Sequence, residues 1–445
     1  SLIIGAGETF VCDEESAFAE VGLENNEAEG LYAALINSGT MSADSVWVSN
    51  IMTSLQWSFI TLPFSVKMNN IVHDDAGVQY AIRRYDGAGR AENGMGDNWT
   101  RVQAGETLAA GEGFILQHNA ASGSEQFVFP ASDNLNAVFA TDDVVVPLQE
   151  HAATWPCNAG WNLIGNPFPT YYNMEYCDFE GAVTIWNGDG YDALHPQDDD
   201  VVLHPFQAFF VQRQEKDAIV FKAPSPVPPR GEVVTKDSGK RTDIGQRSLP
   251  SSGPRTVINL TVHALPHVEG RGGGCRVVLN DLASRDYELH CDAAKFFGGG
   301  IDLYTIEDGT AYAINERPLD DGIATVGFSC AEAGTYTITA DRPVTIIDRQ
   351  TGVEVVLGNG CAYTFHAAAG KTASRFELLL AEAAGVTSVQ ASHSSDWYTP
   401  SGVRLAGKHK AKCIYLQRGK KVVVKSSNKN YNEKTIIYPY CRAVC

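Results

Sequence analysis

The sequence lacks the features that define several large classes of protein. None of its 445 residues lies in an apolar run of 18, so no membrane-spanning helix is predicted. Basic residues are scarce: 34 Lys and Arg stand against 53 Asp and Glu, a formal net charge of -19. Nucleic-acid binding requires a basic face for the phosphates, so the composition argues against that class. Apolar residues make up 44%, enough for folded cores, and the length suggests about three domains.

Motifs for catalysis and metal binding are missing as well. The sequence contains no H-E-x-x-H, no G-x-S-x-G, no P-loop and no C-x-x-C. We therefore predict that this chain is not an enzyme and that any catalytic domain lies outside it. Most of the ten cysteines are expected to be small buried residues. Disulfides Cys157–Cys177 and Cys275–Cys291 remain alternatives for an oxidising compartment.

Segments with helical periodicity are also lacking, whereas short alternating segments recur along the chain. Ile258, Leu260 and Val262 alternate with polar residues, and similar stretches are separated by clusters of Gly, Asp and Asn. This spacing is typical of antiparallel sandwiches. The sequence therefore predicts an all-β fold: tandem antiparallel β-sandwiches that follow a short repetitive β segment, with a small C-terminal β domain.

An internal repeat supports this fold. Three segments recur in the same order at offsets of 104, 101 and 95 residues: Trp57–Phe64 with Trp161–Phe168, Ile82–Gly87 with Val183–Gly188, and Phe114–Gln117 with Phe209–Gln212. Each unit is predicted to contain a strand closed by proline, a hairpin with a glycine turn and an aromatic strand. We expect the two units to bury their Trp and Phe side chains against each other in one sandwich.

Composition divides the chain into six regions. Eleven Lys and Arg and one acid lie within residues 402–445, which leaves 23 basic and 52 acidic residues elsewhere. Such a basic end on an acidic body is either a solvated tail or an address for other machinery. The predicted regions are the end of a repetitive or β-helical region (1–50), a duplicated sandwich (51–222), a proline-rich linker (223–255), a second sandwich (256–382), a small β domain (396–425) and a tail of unknown role (426–445).

The segments Leu55–Phe64 and Gly160–Phe168 resemble modules that precede sorting domains in secreted proteins of Bacteroidota. Segments Trp397–Gly402 and Lys412–Lys425 resemble the C-terminal sorting domain of type IX secretion, with Cys413 where the family usually has glycine. This resemblance implies a secreted or cell-surface protein whose partner is the secretion machinery. The sorting residues that it implies are Gly402, Ile414, Tyr415, Gly419, Lys420, Lys421, Val422, Val423, Val424 and Lys425.

Two candidate ligand sites lie in the second of the two repeated units. An acidic cluster offers oxygen ligands that suit calcium, although its spacing does not match the EF-hand loop; a solvated turn is the alternative. No other cofactor is predicted. Trp186 and Tyr191 flank a glycine turn and are candidates for stacking on a sugar, with a core role as the alternative. The members of the acidic cluster are Asp189, Asp192, Asp198, Asp199 and Asp200.

Two functions remain open at this stage. The first is a non-enzymatic extracellular scaffold or adhesion region, exported through its C-terminal domain, in which rigid sandwiches hold another domain or a binding face away from the cell. The second is a carbohydrate-binding module that serves a glycan-degrading domain outside this chain. An exposed aromatic row with polar neighbours would favour the second function.

Overall fold

The computed structural model describes residues 1–37, 39–131, 139–223, 255–266, 272–298 and 300–380, together with four short strands between 397 and 424. Strands dominate these residues, so the all-β prediction is confirmed. The described part contains one α-helix, and none of its helices is long and apolar enough to cross a membrane. The predicted linker at 223–255 lies almost wholly outside the described residues, as does the tail at 426–445.

The first 53 residues form a stack of parallel strands, which we call the coil stack. Ser16 pairs with Met41 and Thr9 pairs with Ala34, so neighbouring coils repeat after 25 residues. The buried side chains of Asn25 and Asn50 lie at the same position of successive coils. The strands are β1 (Leu2–Ile4), β2 (Thr9–Cys12), β3 (Ser16–Asn26), β4 (Ala34–Asn37) and β5 (Met41–Thr53).

Strand β5 also begins the first repeat, because its second edge pairs antiparallel with the last strand of that repeat. One hydrophobic core extends from the coil stack into this repeat. The elements of the first repeat are β6 (Ser58–Thr61), β7 (Val66–Lys67), β8 (Val72–His73), β9 (Tyr80–Tyr85), α1 (Gly87–Asn93), β10 (Trp99–Arg101), β11 (Thr107–Leu108), β12 (Gly113–His118) and β13 (Ser124–Pro130).

The second repeat has the same topology as the first. The sheet order β6-β12-β9-β10 is matched by β15-β20-β17-β18, and the pair β7–β11 is matched by β16–β19. The internal repeat in the sequence therefore corresponds to a duplicated fold. The strands of the second repeat are β14 (Val144–Pro147), β15 (Trp161–Gly165), β16 (Tyr172–Asn173), β17 (Val183–Trp186), β18 (Tyr191–Leu194), β19 (Val202–Leu203), β20 (Ala208–Gln212) and β21 (Ala218–Phe221).

The two repeats meet through equivalent backbone contacts. Ile60 forms a β-bridge with Gln207, and the equivalent residue Ile164 forms one with Glu112. The amide of Thr61 donates to Phe206 O at 3.0 Å, and the amide of Gly165 donates to Gly111 O at 2.9 Å. Each acceptor residue adopts a positive φ, 67° at Phe206 and 73° at Gly111. The repeats are therefore related by an approximate two-fold axis.

The expected packing of Trp and Phe side chains between the repeats is found in part, because Phe210 of the second repeat contacts Phe59, Tyr85 and Trp99 of the first. Phe64 and Phe168 are buried in two separate clusters, one for each repeat. Trp161 is 2% exposed, whereas Trp57 is half-buried beneath the guanidinium of Arg83. Each repeat thus has a main core of its own, and the two are joined by the backbone contacts at the strand ends and by a smaller shared aromatic cluster.

The third unit is one continuous curved sheet around a single core. Its pairs are antiparallel except for β23 with β26, which is parallel. Strand β25 also packs against β22 and β23. The strands are β22 (Thr256–Leu265), β23 (Gly272–Leu279), β24 (Ala293–Ala294), β25 (Ile301–Glu307), β26 (Thr310–Arg317), β27 (Ile323–Cys330), β28 (Gly334–Ala340), β29 (Val344–Asp348), β30 (Val353–Leu357), β31 (Tyr363–Ala367) and β32 (Gly370–Leu379).

The C-terminal strands form a small antiparallel sheet of order β34-β33-β35-β36. Its last two strands pair Ile414 with Val423 and Tyr415 with Val422 as a hairpin. The predicted sorting residues Gly402, Gly419 and Lys425 lie outside the described residues. The strands are β33 (Trp397–Tyr398), β34 (Arg404–Leu405), β35 (Cys413–Gln417) and β36 (Lys420–Val424).

We predict that Gly165→Ala destabilises the protein by about 1 to 3 kcal/mol, because a Cβ at this position would overlap the side chain of Thr61 across the repeat junction. Urea denaturation measures the free energy of unfolding. Gly96→Ala is the matched control, since a Cβ there would meet no atom within 4 Å. Equal stability of the two variants would contradict this account of the junction.

We predict that the stability of the coil stack falls as the pH rises from about 4.5 to about 7. The Glu27 carboxylate accepts a hydrogen bond from Asn50 Nδ2 at 2.9 Å, and burial raises its pKa from 4.5 to about 7. The folded state therefore holds a proton that the unfolded state has released in this range, and deprotonation at the higher pH is linked to unfolding. Urea midpoints measured across this range should fall for the wild type and stay flatter for Glu27→Gln.

Candidate functional site

The interface between the second repeat and the third unit contains the densest set of buried charges that the structure describes. Arg255 donates to both carboxylate oxygens of Asp198 at 2.7 and 3.0 Å, and its Nη2 donates to Glu316 at 2.6 Å. Arg276 donates to both oxygens of Asp199 at 2.7 Å. Arg255 directly precedes strand β22, Arg276 lies in strand β23, and the loop after β18 supplies the aspartates. We call these five residues the ionic seam.

Histidine and aspartate side chains extend the seam into the interior. His195 Nε2 lies 2.8 Å from His290 O, and burial lowers the pKa of His195, so the neutral ring is favoured. Asp292 accepts backbone N–H bonds from Glu288 at 2.9 Å and Glu316 at 2.7 Å. Burial raises the pKa of Asp292 well above its usual range. His195 thus contacts the loop 288–292 from the second repeat, whereas the bonds to Asp292 fix that loop within the third unit.

An aromatic cluster lies beside the seam and joins both repeats to the third unit. The guanidinium carbon of Arg90 lies 4.4 Å from the ring centroid of Trp161 and 4.3 Å from that of Phe296. Arg90 is 1% exposed and donates to Tyr85 Oη and to Cys157 O, both at 3.3 Å. Helix α1 positions this arginine, because Asp86 caps the helix by accepting from Gly89 N at 2.8 Å.

The five acidic residues predicted as a calcium site are distributed among different contacts. Asp198 and Asp199 are engaged by arginines of the ionic seam. Asp192 accepts from Asn187 Nδ2 at 2.8 Å, and Asp189 donates its backbone N–H to Asn187 Oδ1 at 3.0 Å. Across the described ranges, no three His, Cys, Asp or Glu side chains are grouped so that they could hold a metal ion. Asp200 is exposed.

Trp186 and Tyr191 face each other across the hairpin β17–β18, with ring centroids 4.9 Å apart. Trp186 stacks on Phe59 of the first repeat at 5.6 Å, and Tyr191 contacts Phe296 of the third unit at 5.2 Å. Both side chains are partly buried. The two aromatic residues predicted to bind a sugar therefore lie in the contacts between units.

A small cleft of about 80 Å³ remains at the rim of this interface. His290 Nε2 lies 3.3 Å from Glu215, and this contact lowers the pKa of that carboxyl. Lys216 pairs with Asp178 at 3.1 Å. The volume is that of a few water molecules, and the charged side chains at its rim pair with each other. We assign no chemistry to this cleft.

Neither of the two candidate disulfides forms, because Cys157, Cys275 and Cys291 are free thiols. Cys275 is buried in the core of the third unit, as expected for a small apolar residue. Burial also raises the pKa of its thiol to about 12, which suppresses the reactive thiolate at neutral pH. These cysteines are packing residues.

The residues that the sequence reasoning missed are the arginines. Arg255 directly precedes strand β22 and Arg276 lies in strand β23, where a charged residue is expected to face solvent, and Arg90 lies in helix α1. The aspartate run at 198–200 was noticed as a cluster of acids, but its partners lie more than 50 residues further along the chain. No local pattern connects the two sets.

Comparisons with family models, with curated proteins and with solved structures found no match to this chain.

We predict that Arg276→Met lowers the free energy of unfolding by about 3 kcal/mol, because it leaves the Asp199 carboxylate largely buried without its charged partner. Lys216→Met is the control: its ion pair with Asp178 is more exposed, so a loss of about 1 kcal/mol or less is expected. Denaturant unfolding of both variants measures the loss in the free energy of unfolding that each substitution causes. Similar small losses in both would show that the ionic seam does not stabilise the interface.

Proposed function

We propose that this chain is a non-enzymatic extracellular scaffold, exported through its C-terminal β domain, that holds a neighbouring domain or a binding face away from the cell surface. The observation that carries the proposal is the fate of the predicted site residues. Asp198, Asp199, Trp186 and Tyr191 are all engaged in contacts between units. The polar and aromatic side chains of this region thus hold the units against one another.

Continuity of the fold supports a display role. The coil stack shares β5 and a hydrophobic core with the first repeat, the two repeats exchange backbone bonds, and the second repeat is held to the third unit by buried arginines. Interfaces between domains that move freely are usually small and wet, whereas these are backbone-paired or ionic and buried. Contacts of this kind hold the units in fixed positions relative to one another.

The export part of the proposal rests on the resemblance of residues 396–425 to type IX sorting domains. The hairpin pairing of Cys413–Gln417 with Lys420–Val424 is compatible with that resemblance. The basic character of 402–445, against an acidic remainder, gives this segment a surface that differs in charge from the rest of the chain.

Export is tested by fusing residues 386–425 to a periplasmic reporter in a host with type IX secretion. We expect the reporter outside the cell, since the segment would serve as the address. A fusion that ends at residue 411 lacks the hairpin and is the matched control. An isogenic host without the secretion system should retain both fusions. Retention of the complete fusion in the periplasm of the competent host would refute the export proposal.

A further inference from the structure

The two repeats carry equivalent sheet faces, and the pairing register fixes which residues correspond. In the second repeat, Leu163 pairs with Phe210 and Trp186 with Tyr191. The same places in the first repeat pair Phe59 with Ile115 and Tyr85 with Trp99. Even a hydrogen bond is conserved between them: Gln212 Nε2 donates to Ala159 O at 2.8 Å and Gln117 Nε2 to Leu55 O at 3.1 Å.

In the second repeat this face is occupied by the third unit. The ring centroid of Phe296 lies 4.7 Å from that of Trp161 and 4.6 Å from that of Phe210. Tyr287 of the third unit donates to Gln212 Oε1. Trp161 and Phe210 are consequently 2% and 0% exposed. A protein segment that presents an aromatic ring is therefore an occupant that this sheet face accepts.

The equivalent face of the first repeat is more open. Trp57, the counterpart of Trp161, is half-buried, and the guanidinium carbon of Arg83 lies 4.8 Å from its ring centroid. Phe59 and Trp99 are partly exposed but also pack on Phe210 of the second repeat, each with ring centroids 6.1 Å apart, so the open part of the face lies at Trp57 and the nearby arginines. Arg101 pairs with Arg83 across neighbouring strands and is exposed. We call Trp57, Phe59, Arg83, Trp99 and Arg101 the arginine–tryptophan face.

Charge distinguishes the two faces. By register, Arg83 and Arg101 occupy the positions of Thr184 and Ala193 in the second repeat. Small Ala193 lets the apolar residues of β23 and β26 approach closely. The arginines would exclude that apolar surface and attract carboxylates. Their one ion pair among the described residues is long, 3.9 Å from Arg83 to Asp97, and Asp97 is 81% exposed, so both guanidinium groups are available to a partner.

We propose that the arginine–tryptophan face binds a protein segment that carries an aromatic side chain flanked by carboxylates. The aromatic ring packs on Trp57, as Phe296 packs on Trp161 in the second repeat, and the carboxylates pair with Arg83 and Arg101. Tryptophan and arginine are the residues that most often dominate binding energy at protein interfaces. The inference goes beyond the proposed scaffold function and does not depend on export, because it concerns the purified protein.

The test is selection from a phage library of random dodecapeptides on the immobilised full chain, with counter-selection on Trp57→Ala/Arg83→Glu. We expect enriched peptides to share an aromatic residue with Asp or Glu on either side. Synthetic copies should lose at least about tenfold in affinity for Trp57→Ala and for Arg101→Glu, measured by fluorescence anisotropy. Trp155→Ala is the matched control, since Trp155 is 62% exposed and lies outside this face.

Several outcomes would overturn the proposal. Enrichment of peptides without carboxylates, or affinity that is unchanged in Trp57→Ala and Arg101→Glu, would show that the face does not select this partner. The proposal would also be refuted if no enriched peptide bound the wild type more tightly than the Trp57→Ala/Arg83→Glu variant. Polygalacturonate and laminarin are tested in parallel. Binding of either polysaccharide that depends on Trp57, without a peptide ligand, would replace the protein partner with a glycan. Circular dichroism of each variant confirms that it is folded.

Discussion

Arg255 is the interaction on which the arrangement of the units depends. Arg255 directly precedes strand β22 of the third unit, and it contacts Asp198 of the second repeat and Glu316 of its own unit at the same time. Removing charged groups from water is costly, and the cost is offset here by bidentate geometry with a planar guanidinium. Because the bonds are directional, they specify one orientation of the third unit on the second repeat, which apolar contact alone would not do.

Duplication gave the two repeats a common architecture, and their surfaces then diverged. The backbone exchange at the junction is preserved, down to a positive φ at both Gly111 and Phe206. A phenylalanine in the left-handed region is strained, so the shape of the junction outweighs the preference of the residue. On the sheet faces, by contrast, Thr184 and Ala193 correspond to Arg83 and Arg101. One face became an internal interface and the other became charged.

The features of the fold and the site that could be predicted are those that leave a local pattern in the sequence. Alternating apolar residues and turn clusters predicted the all-β class, and the recurrence of Trp-x-x-Ile-x-x-Pro-Phe predicted the duplication, because both are short-range signals. The repeated segments then indicate which residues of the two repeats correspond. The role of Asp198 and Asp199 could not be predicted, because their partners Arg255 and Arg276 lie 57 and 77 residues further along the chain and no local pattern connects them.

The same limit explains Trp57 and Trp161. These corresponding residues differ in burial because the third unit covers Trp161, and the sequence next to each tryptophan does not show this difference. The candidate calcium and sugar residues were recognised as unusual for a sound reason: clustered acids and aromatic rings on a hairpin do mark recognition surfaces. Of these residues, Asp198, Asp199, Trp186 and Tyr191 contact other units of the same chain.

Strand β5 has a mechanical consequence. Its Asn50 pairs in parallel with Asn25 on one edge and antiparallel with Phe127 on the other, so a single backbone joins the parallel coil strands to the antiparallel strand of the first repeat within one mixed sheet. A slip of one residue along either edge would turn apolar side chains outward in both units at once. Tension applied along the coils would therefore be borne in shear by two hydrogen-bonded edges, with no flexible hinge between the stack and the sandwich that follows.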